Sequence, residues 1–275
     1  MLRARCVLHE ENVRILVAAA LVGLLARADA KGWPLPAAGP TMSGDPELIF
    51  TFDDGPNPKT TPAVLDALAK HHIKAVFFLV GDRLDPMPKA TPAIVARMIA
   101  DGHVIATHTM HHLDMCLKRN HDKAADDIDH GRVVVEKATG QRTAWFRTPF
   151  GARCTLVEDL LAERGLAHFH WDLDPQDWKH NDPVKAVTYV EKQVGKMTGR
   201  NVLLMHDTKQ ATMKALPEIL DWIDEENARR KEAHKRPIRI IQAPELAIER
   251  LPDGLLAWLA DAMPTSLGAR LASAM

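Results

Sequence analysis

The sequence predicts an α/β fold in which helices surround a parallel sheet, and three observations lead to this expectation. The 275 residues include 46% hydrophobic side chains, enough to bury the core of one large domain. Short apolar runs alternate about seven times with longer amphipathic stretches. Polar residues follow several of these runs, as they do where parallel strands build an active site. A parallel (β/α) barrel and a doubly wound sheet both satisfy this pattern.

The alternation divides into elements from the N-terminus onward. A strand is expected where a short apolar run lies between turn-forming residues, and a helix where apolar residues recur every three or four positions. Strands are therefore predicted at residues 48–52, 75–80, 104–107, 144–146, 167–171, 201–205 and 238–241. Helices are predicted at residues 61–71, 91–100, 122–138, 156–164, 183–196 and 214–230.

The N-terminal segment is predicted to be an export signal. Residues 1–30 place arginines before an apolar run at residues 15–26, followed by small residues up to Ala30. The run is shorter than the ~20 residues that cross a bilayer, so we expect cleavage after Ala30 and no membrane span in the mature chain. An uncleaved anchor is the alternative, because Glu10 and Glu11 make the leading segment unusually acidic.

The rest of the chain divides into a linker, a main domain and a tail. Residues 31–46 are rich in Pro and Gly, which predicts a linker. The main domain is expected at residues 47–245. Residues 246–275 form a tail in which apolar residues recur at helical spacing, which favours a helix packed on the domain over a membrane-binding segment. These apolar residues are Leu251, Leu255, Leu256, Trp258, Leu259 and Met263.

Charge and motif content exclude several classes of function. The 35 basic and 36 acidic residues leave a formal net charge of -1, so no broad field favours nucleic acid. The few serines include none in a GxSxG turn, and the GxGxxG, P-loop and HExxH patterns are absent from the sequence. A serine hydrolase, a nucleotide-dependent enzyme and an HExxH metalloprotease are therefore not expected.

Two adjacent carboxylates follow the first predicted strand. Asp53 and Asp54 lie in the segment TFDDGP, where the strand breaks into a turn. An ordinary Asp-Gly turn is one explanation. A functional site is the other, because two like charges placed together are costly unless a cation or a proton offsets them.

Histidines follow the third predicted strand in the segment HTMHH. His108 and His112 are four residues apart, a spacing at which two imidazoles can bind one divalent ion. Solvent-exposed histidines are the ordinary alternative. Two His and one Asp, with the fourth position left to water, form a catalytic zinc pattern, and Asp54 could supply the carboxylate. His111 is expected to point away, and His103 to be structural.

Three further strand ends carry polar segments. In RTPFG, Arg147 offers a permanent charge that can orient a carboxylate. In DPQDW, Asp177 and Trp178 combine a carboxylate with an aromatic face suited to a sugar ring. LLMH ends in His206, a position suited to a general acid. Each of these segments alone is weak evidence for a site, and a structural role is its more common explanation.

Taken in order, the five segments TFDDGP, HTMHH, RTPFG, DPQDW and LLMH resemble the motifs of the polysaccharide deacetylases. This is carbohydrate esterase family 4, or the NodB-homology domain, and the resemblance spans residues 47–241. It implies a distorted parallel (β/α) barrel of about seven strands. It also implies a metal-dependent hydrolase that releases acetate from an acetylated polysaccharide or oligosaccharide.

The resemblance assigns a base and a metal site. Asp53 would be the catalytic base, and Arg147 would orient it. Asp54, with His108 and His112, would hold a divalent metal that polarises the acetyl carbonyl and lowers the pKa of its bound water toward ~7. Zinc is expected first, and Co²⁺, Ni²⁺ or Mn²⁺ would also suit these ligands.

The resemblance also assigns an acid and a pocket. His206 would be the general acid, with a depressed or tuned pKa set by Asp177. Trp178 and Leu204 would shape the acetyl and sugar pocket. Phe150 stands where the family often has Tyr and would stabilise the oxyanion through its backbone N–H, which needs no hydroxyl.

Export predicts that the mature protein is periplasmic or secreted and acts on a cell-envelope or extracellular glycan, with N- and O-acetyl groups as alternatives. In that oxidising setting, Cys116 and Cys154 either pair or stay free, and sequence favours neither. A glycan-binding protein with little turnover is an alternative function, although the intact base and metal ligands argue against it. A hydrolase of a small amide on the same scaffold is another.

Overall fold

The computed structural model describes residues 44–248, in which seven parallel strands form one sheet. The order across the sheet is β5-β4-β3-β2-β1-β6, with β7 beside the start of β1. The strands are β1 (Glu47–Asp53), β2 (Val76–Leu79), β3 (Val104–Thr107), β4 (Trp145–Phe146), β5 (Ala167–His168), β6 (Arg200–His206) and β7 (Arg239–Ile240).

Helices connect successive strands, as parallel pairing requires. They are α1 (Thr61–Lys70), α2 (Thr91–Ala100), α3 (Ala124–Thr139), α4 (Thr155–Glu163), α5 (Asp177–His180), α6 (Pro183–Val194), α7 (Gln210–Glu232) and α8 (Ala243–Ile248). Local signals set several ends: the Asp182 side chain accepts hydrogen bonds from the first turn of α6, and α3 ends at Gly140 in the left-handed conformation.

The sheet curls into a barrel with a polar mouth at the carboxyl ends of its strands. In β1, Asp53 is in register with Phe78 of β2 and with His206 of β6, so the strand ends lie level. After β5 the chain returns to β6, where Leu173 forms a parallel bridge with Leu203. The (β/α) barrel that the motifs implied is thereby confirmed.

Both faces of the sheet are buried, as expected for a parallel sheet covered by helices. Ile49 packs inward with residues from the other strands, among them Val76, Phe78, Trp145, Phe169 and Val202. Leu48, Phe50 and Phe52 pack outward in a cluster that includes Val64 and Leu68 of α1. Because side chains alternate along a strand, Thr51 and Asp53 share the inward face with Ile49.

Strand β5 differs most from its predicted length, while the ends of the other strands lie within one residue of the prediction. β5 ends at His168, whereas the predicted strand continues to Trp171. The carbonyls of Phe169 and His170 instead accept hydrogen bonds from the Arg147 side chain, at 2.9 and 3.2 Å. A buried side chain from β4's end thus takes over acceptors that a longer strand would have used.

Two cysteines that the sequence left undecided are joined: Cys116 and Cys154 form a disulfide. The predicted signal, most of the linker and the tail beyond residue 248 lie outside the described residues. Helix α8 crosses the expected start of the tail, and its Leu246 is buried against the inner core. Within residues 44–248, no helix is long and apolar enough to cross a membrane.

Candidate active site

The two adjacent carboxylates face the same mouth because the backbone turns between them. Asp53 ends β1 on the inward face and is 2% exposed. Asp54 follows in the left-handed conformation, with φ of 73°, which returns its side chain to the side of Asp53. A simple continuation of the strand would have pointed Asp54 to the opposite face. The turn in TFDDGP therefore places both carboxylates at the mouth of the barrel.

The two histidines of HTMHH are brought together by a similar turn. His108 directly follows β3, while Thr109 and His112 adopt positive φ values of 68° and 55°. The Thr109 hydroxyl accepts a hydrogen bond from the His112 backbone N–H at 2.9 Å, which closes the turn. As a result, the rings of His108 and His112 contact each other edge to face.

Three potential ligand atoms, from Asp54, His108 and His112, lie within 4.8 Å of one another. Asp54 Oδ1 is 3.2 Å from His112 Nε2 and 3.7 Å from His108 Nε2. A tetrahedral ion with bonds of ~2.0–2.1 Å separates its ligand atoms by about 3.4 Å. Asp54 Oδ1 is also buried and, among the described residues, has no hydrogen-bond donor in spite of these neighbours. The cluster fits a divalent metal.

The protonation states also suit a metal. Burial lowers the pKa of His108, against the pull of Asp53 and Asp54, which favours the neutral imidazole that metals bind. Its Nδ1 lies 2.7 Å from the Arg147 carbonyl oxygen, so Nδ1–H is the donor and Nε2 is left for the ion. Burial alone would raise the pKa of Asp54, but His112 and the nearby imidazoles hold it well below its usual range.

Arg147 pairs with Asp53 at the floor of the site. Its Nη1 donates to Asp53 Oδ1 at 2.7 Å and to the Thr51 hydroxyl at 2.8 Å. The guanidinium is fully buried and lies 4.1 Å above the Phe78 ring, where the cation is attracted to the aromatic face. With Asp53 Oδ1 occupied, Oδ2 faces the cluster of Asp54, His108 and His112 and lies 3.7 Å from His108 Nε2.

His206 ends β6 and is paired with Asp177, the first residue of α5. His206 Nδ1 lies 2.8 Å from Asp177 Oδ1, and the His206 backbone N–H donates to Oδ2 at 2.8 Å. Burial alone would lower the pKa of His206, but the Asp177 hydrogen bond and charge outweigh it, with help from Asp53 and Asp54, and raise it to about 9. The pKa of His206 is therefore raised, and the expectation of a depressed pKa is wrong.

The three pocket residues differ in exposure. Phe150 is 68% exposed, adopts φ of 60°, and its ring meets that of His112 edge to face. Trp178, next to Asp177, is 48% exposed and donates from Nε1 to Asp174 Oδ2 at 3.4 Å. Leu204 lies two residues before His206 on the same face of β6 and is buried. Two aromatic rings thus border the mouth, and Leu204 lies below it.

Motif reasoning missed several buried polar residues around the site. Thr51 accepts from Arg147, and Thr212 of α7 donates to Asp177 Oδ2. Asp207, directly after His206, is fully buried and accepts from the Thr61 hydroxyl at 2.5 Å. A carboxylate next to a strand-end histidine was the available signal for Asp207. Thr51 and Thr212 carry no local signal.

The chain is similar to known proteins over most of the described residues. A family profile described as polysaccharide deacetylase matches residues 42–169. A chitooligosaccharide deacetylase of Sinorhizobium fredii is 34% identical over 165 residues, which make up 60% of this chain and 74% of that protein. The chain belongs to the polysaccharide deacetylase family.

Other family members extend the match. This chain is 32% identical over 190 residues to a peptidoglycan-N-acetylglucosamine deacetylase of Bacillus cereus, and the match covers 66% of this chain and 65% of that protein. The solved structure of peptidoglycan deacetylase PdaC from Bacillus subtilis superposes with a TM-score of 0.59 at 25% identity, over 75% of the deacetylase and 93% of that chain. The five motifs therefore predicted the family and the enzyme class correctly.

Proposed function

We propose that this enzyme removes N- or O-linked acetyl groups from a cell-envelope or extracellular polysaccharide and releases acetate. The observation that supports this most directly is the division of labour between two adjacent carboxylates. Asp54 faces His108 and His112, with ligand atoms spaced for one ion. Asp53 is held by Arg147 through one oxygen and keeps the other free toward the same point.

The proposed metal site consists of Asp54, His108 and His112, with Zn²⁺ first and Co²⁺, Ni²⁺ or Mn²⁺ as ions that the same ligands accept. When bound there, a divalent metal supplies Lewis-acid polarisation of the acetyl carbonyl and a lower pKa of the attacking water. His108 and His112 would contribute ring nitrogens, and Asp54 would contribute the charge that favours a cation.

In the proposed reaction, Asp53 Oδ2 takes a proton from the attacking water. At the same time, the oxygen of that water forms a bond to the acetyl carbon. Arg147 keeps the Asp53 carboxylate in place through Oδ1. The Phe150 backbone N–H offers a donor for the developing oxyanion. His206, protonated at neutral pH by its raised pKa, gives its Nε2 proton to the leaving nitrogen or oxygen as that bond breaks. Trp178 and Phe150 offer faces for sugar rings, and Leu204 limits the pocket below His206.

We also propose export to the periplasm or the exterior. The basic residues, apolar run and small residues of the N-terminal segment support this. The Cys116–Cys154 disulfide supports it independently, because such bonds persist in oxidising compartments.

The test is acetate release from N-acetylglucosamine oligomers, peptidoglycan and acetylated xylan, with and without a chelator. Chelator-sensitive release from at least one substrate is expected, and its absence from all three would refute the proposal. Tight glycan binding without acetate, unchanged in Asp53→Asn, would instead support a binding protein. Turnover of a small amide alone would support the other alternative.

Matched variants separate the roles of neighbouring residues. Asp54→Asn and His112→Ala should lose bound metal, measured by elemental analysis, whereas Asp53→Asn should keep the metal and lose turnover. His111→Ala is the control, because His111 lies in the same motif but contacts Asp82 at 2.9 Å instead. Equal metal loss in His111→Ala and His112→Ala would contradict the assignment.

A further inference from the structure

A second polar network lies behind the loop that follows β4. Glu158 Oε1 of α4 is 3.1 Å from Nδ1 of His168, the last residue of β5. His168 Nε2 is in turn 3.0 Å from the hydroxyl of Thr148. Arg153 Nε also donates to Glu158 Oε1, at 2.9 Å. The order carboxylate, imidazole and hydroxyl resembles the triad of nucleophilic hydrolases.

Burial excludes a nucleophilic role for this network. Thr148 is 1% exposed and His168 is 4% exposed, so no substrate reaches the hydroxyl in this conformation. The carboxylate of Glu158 accepts from His168 Nδ1–H, which leaves Nε2 as an acceptor for the Thr148 O–H. The hydrogen bonds of this network thus run in one direction, from Thr148 through His168 to Glu158.

Thr148 lies between two groups of the reaction centre. The carbonyl of Arg147, the preceding residue, accepts from His108 Nδ1, and its guanidinium holds Asp53. The next residues, Pro149 and Phe150, form the turn that presents the Phe150 N–H. A displacement of Thr148 would therefore move the base, a metal ligand and the oxyanion donor together.

The turn needs support from outside. Phe150 has φ of 60°, a left-handed conformation that is unfavourable for a residue with a side chain. Gly151 follows with φ of 64°, and a Cβ there would lie 2.5 Å from Trp171 Cη2. Gly151 N–H bonds to Thr148 O and Ala152 N–H to Pro149 O, each at 3.1 Å. These two hydrogen bonds close the turn on itself, whereas Trp171 lies beside Gly151 and the Thr148 hydroxyl joins the start of the turn to His168.

We propose that Glu158, His168 and Thr148 are positioning residues that hold the 148–151 turn, and with it Arg147 and the Phe150 N–H, in the geometry that hydrolysis requires. The part of this inference that concerns catalysis rests on the proposed deacetylation. The part that concerns the turn does not, since it follows from the contacts alone.

The decisive comparison is Thr148→Val against Thr148→Ser. Valine keeps the shape and loses the hydroxyl, whereas serine keeps the hydroxyl. In Thr148→Val we expect kcat for acetate release to fall by about 10- to 100-fold, because misplaced donors and bases cost that much. KM and the metal dissociation constant should stay within about threefold, and Thr148→Ser should restore most of kcat. Thr143→Val, which removes a different buried hydroxyl that bonds to Trp145 O, is the control.

Amide hydrogen exchange gives a readout that does not depend on activity. In Thr148→Val, exchange at Gly151 and Ala152 should accelerate by about tenfold or more, with the rest of the chain unchanged. If the wild-type protein releases no acetate but the exchange effect appears, the proposed deacetylation is refuted and the positioning role of Thr148 is supported. Unchanged exchange, an equal effect in Thr148→Ser, or a kcat loss that follows metal loss or unfolding would overturn the inference.

Discussion

Asp177→Asn tests how the pairing with His206 controls proton transfer. In the structure, His206 has a pKa of about 9 because Asp177 outweighs the effect of burial. At pH 7.5 a group with this pKa is ~97% protonated, whereas one at the ordinary value of 6.5 is only ~9% protonated. Without the carboxylate, burial dominates and the pKa falls to the ordinary value or below. At pH 7.5, kcat should therefore drop by about tenfold or more.

The assay is the pH dependence of kcat for acetate release. In the wild type the alkaline limb should lie at or below about pH 9, since a bound cation offsets part of the pull of Asp53 and Asp54. In Asp177→Asn the limb should move downward by about two units. Asp174→Asn is the control, because Asp174 is on the same loop but bonds to Trp178 and Gln176. An alkaline limb that does not move in Asp177→Asn would refute the reasoning.

The same shift predicts a pH-dependent stability of the metal-free protein. The folded pKa of His206, about 9, lies above the unfolded value of 6.5, so its stabilising effect is complete below pH 6.5 and is lost as the pH rises through about 9. The difference between these two pKa values corresponds to about 3 kcal/mol in the free energy of unfolding. The difference in free energy of unfolding between wild type and Asp177→Asn should therefore be larger at pH 6 than at pH 9.5. Lost hydrogen bonds from Thr212 and the His206 N–H add a penalty that does not depend on pH.

Three further outcomes follow from other parts of the fold. Replacing Cys116 and Cys154 with Ser should lower the free energy of unfolding by about 4 kcal/mol, from the 38-residue separation; equal urea midpoints with and without the bond would contradict this. Gly131→Ala should lower the free energy of unfolding by more than ~2 kcal/mol, because the new Cβ would lie 2.3 Å from the Thr109 carbonyl carbon. As a control, Val133→Ala at an exposed position of the same helix should change it by no more than ~0.5 kcal/mol. Burial raises the pKa of Asp207 to about 7, so ionisation of this group opposes folding as the pH rises toward and through 7. Asp207→Asn should therefore stabilise the metal-free protein, relative to wild type, more at pH 8 than at pH 4, and equal effects at both values would count against it.

The sequence by itself determined the family, the barrel and the identity of the residues at its mouth. Each motif is a short contiguous segment at a strand end, and parallel strands bring their carboxyl ends to one edge whatever the helices between them do. The position of Asp53 at the end of β1, and of His206 at the end of β6, could therefore be predicted from alternation and order alone. Strand length was less predictable, because Arg147 takes the carbonyl groups that would have extended β5.

Only the tertiary structure decided the energetics and the supporting contacts. The direction of the His206 pKa shift depends on the balance between burial and a carboxylate 29 residues away in sequence. The disulfide joins cysteines 38 residues apart, and the network of Glu158, His168 and Thr148 joins α4, β5 and the loop after β4. The physical reason is that charge interactions and desolvation depend on distance and burial in space, whereas periodicity and motifs record only neighbours along the chain.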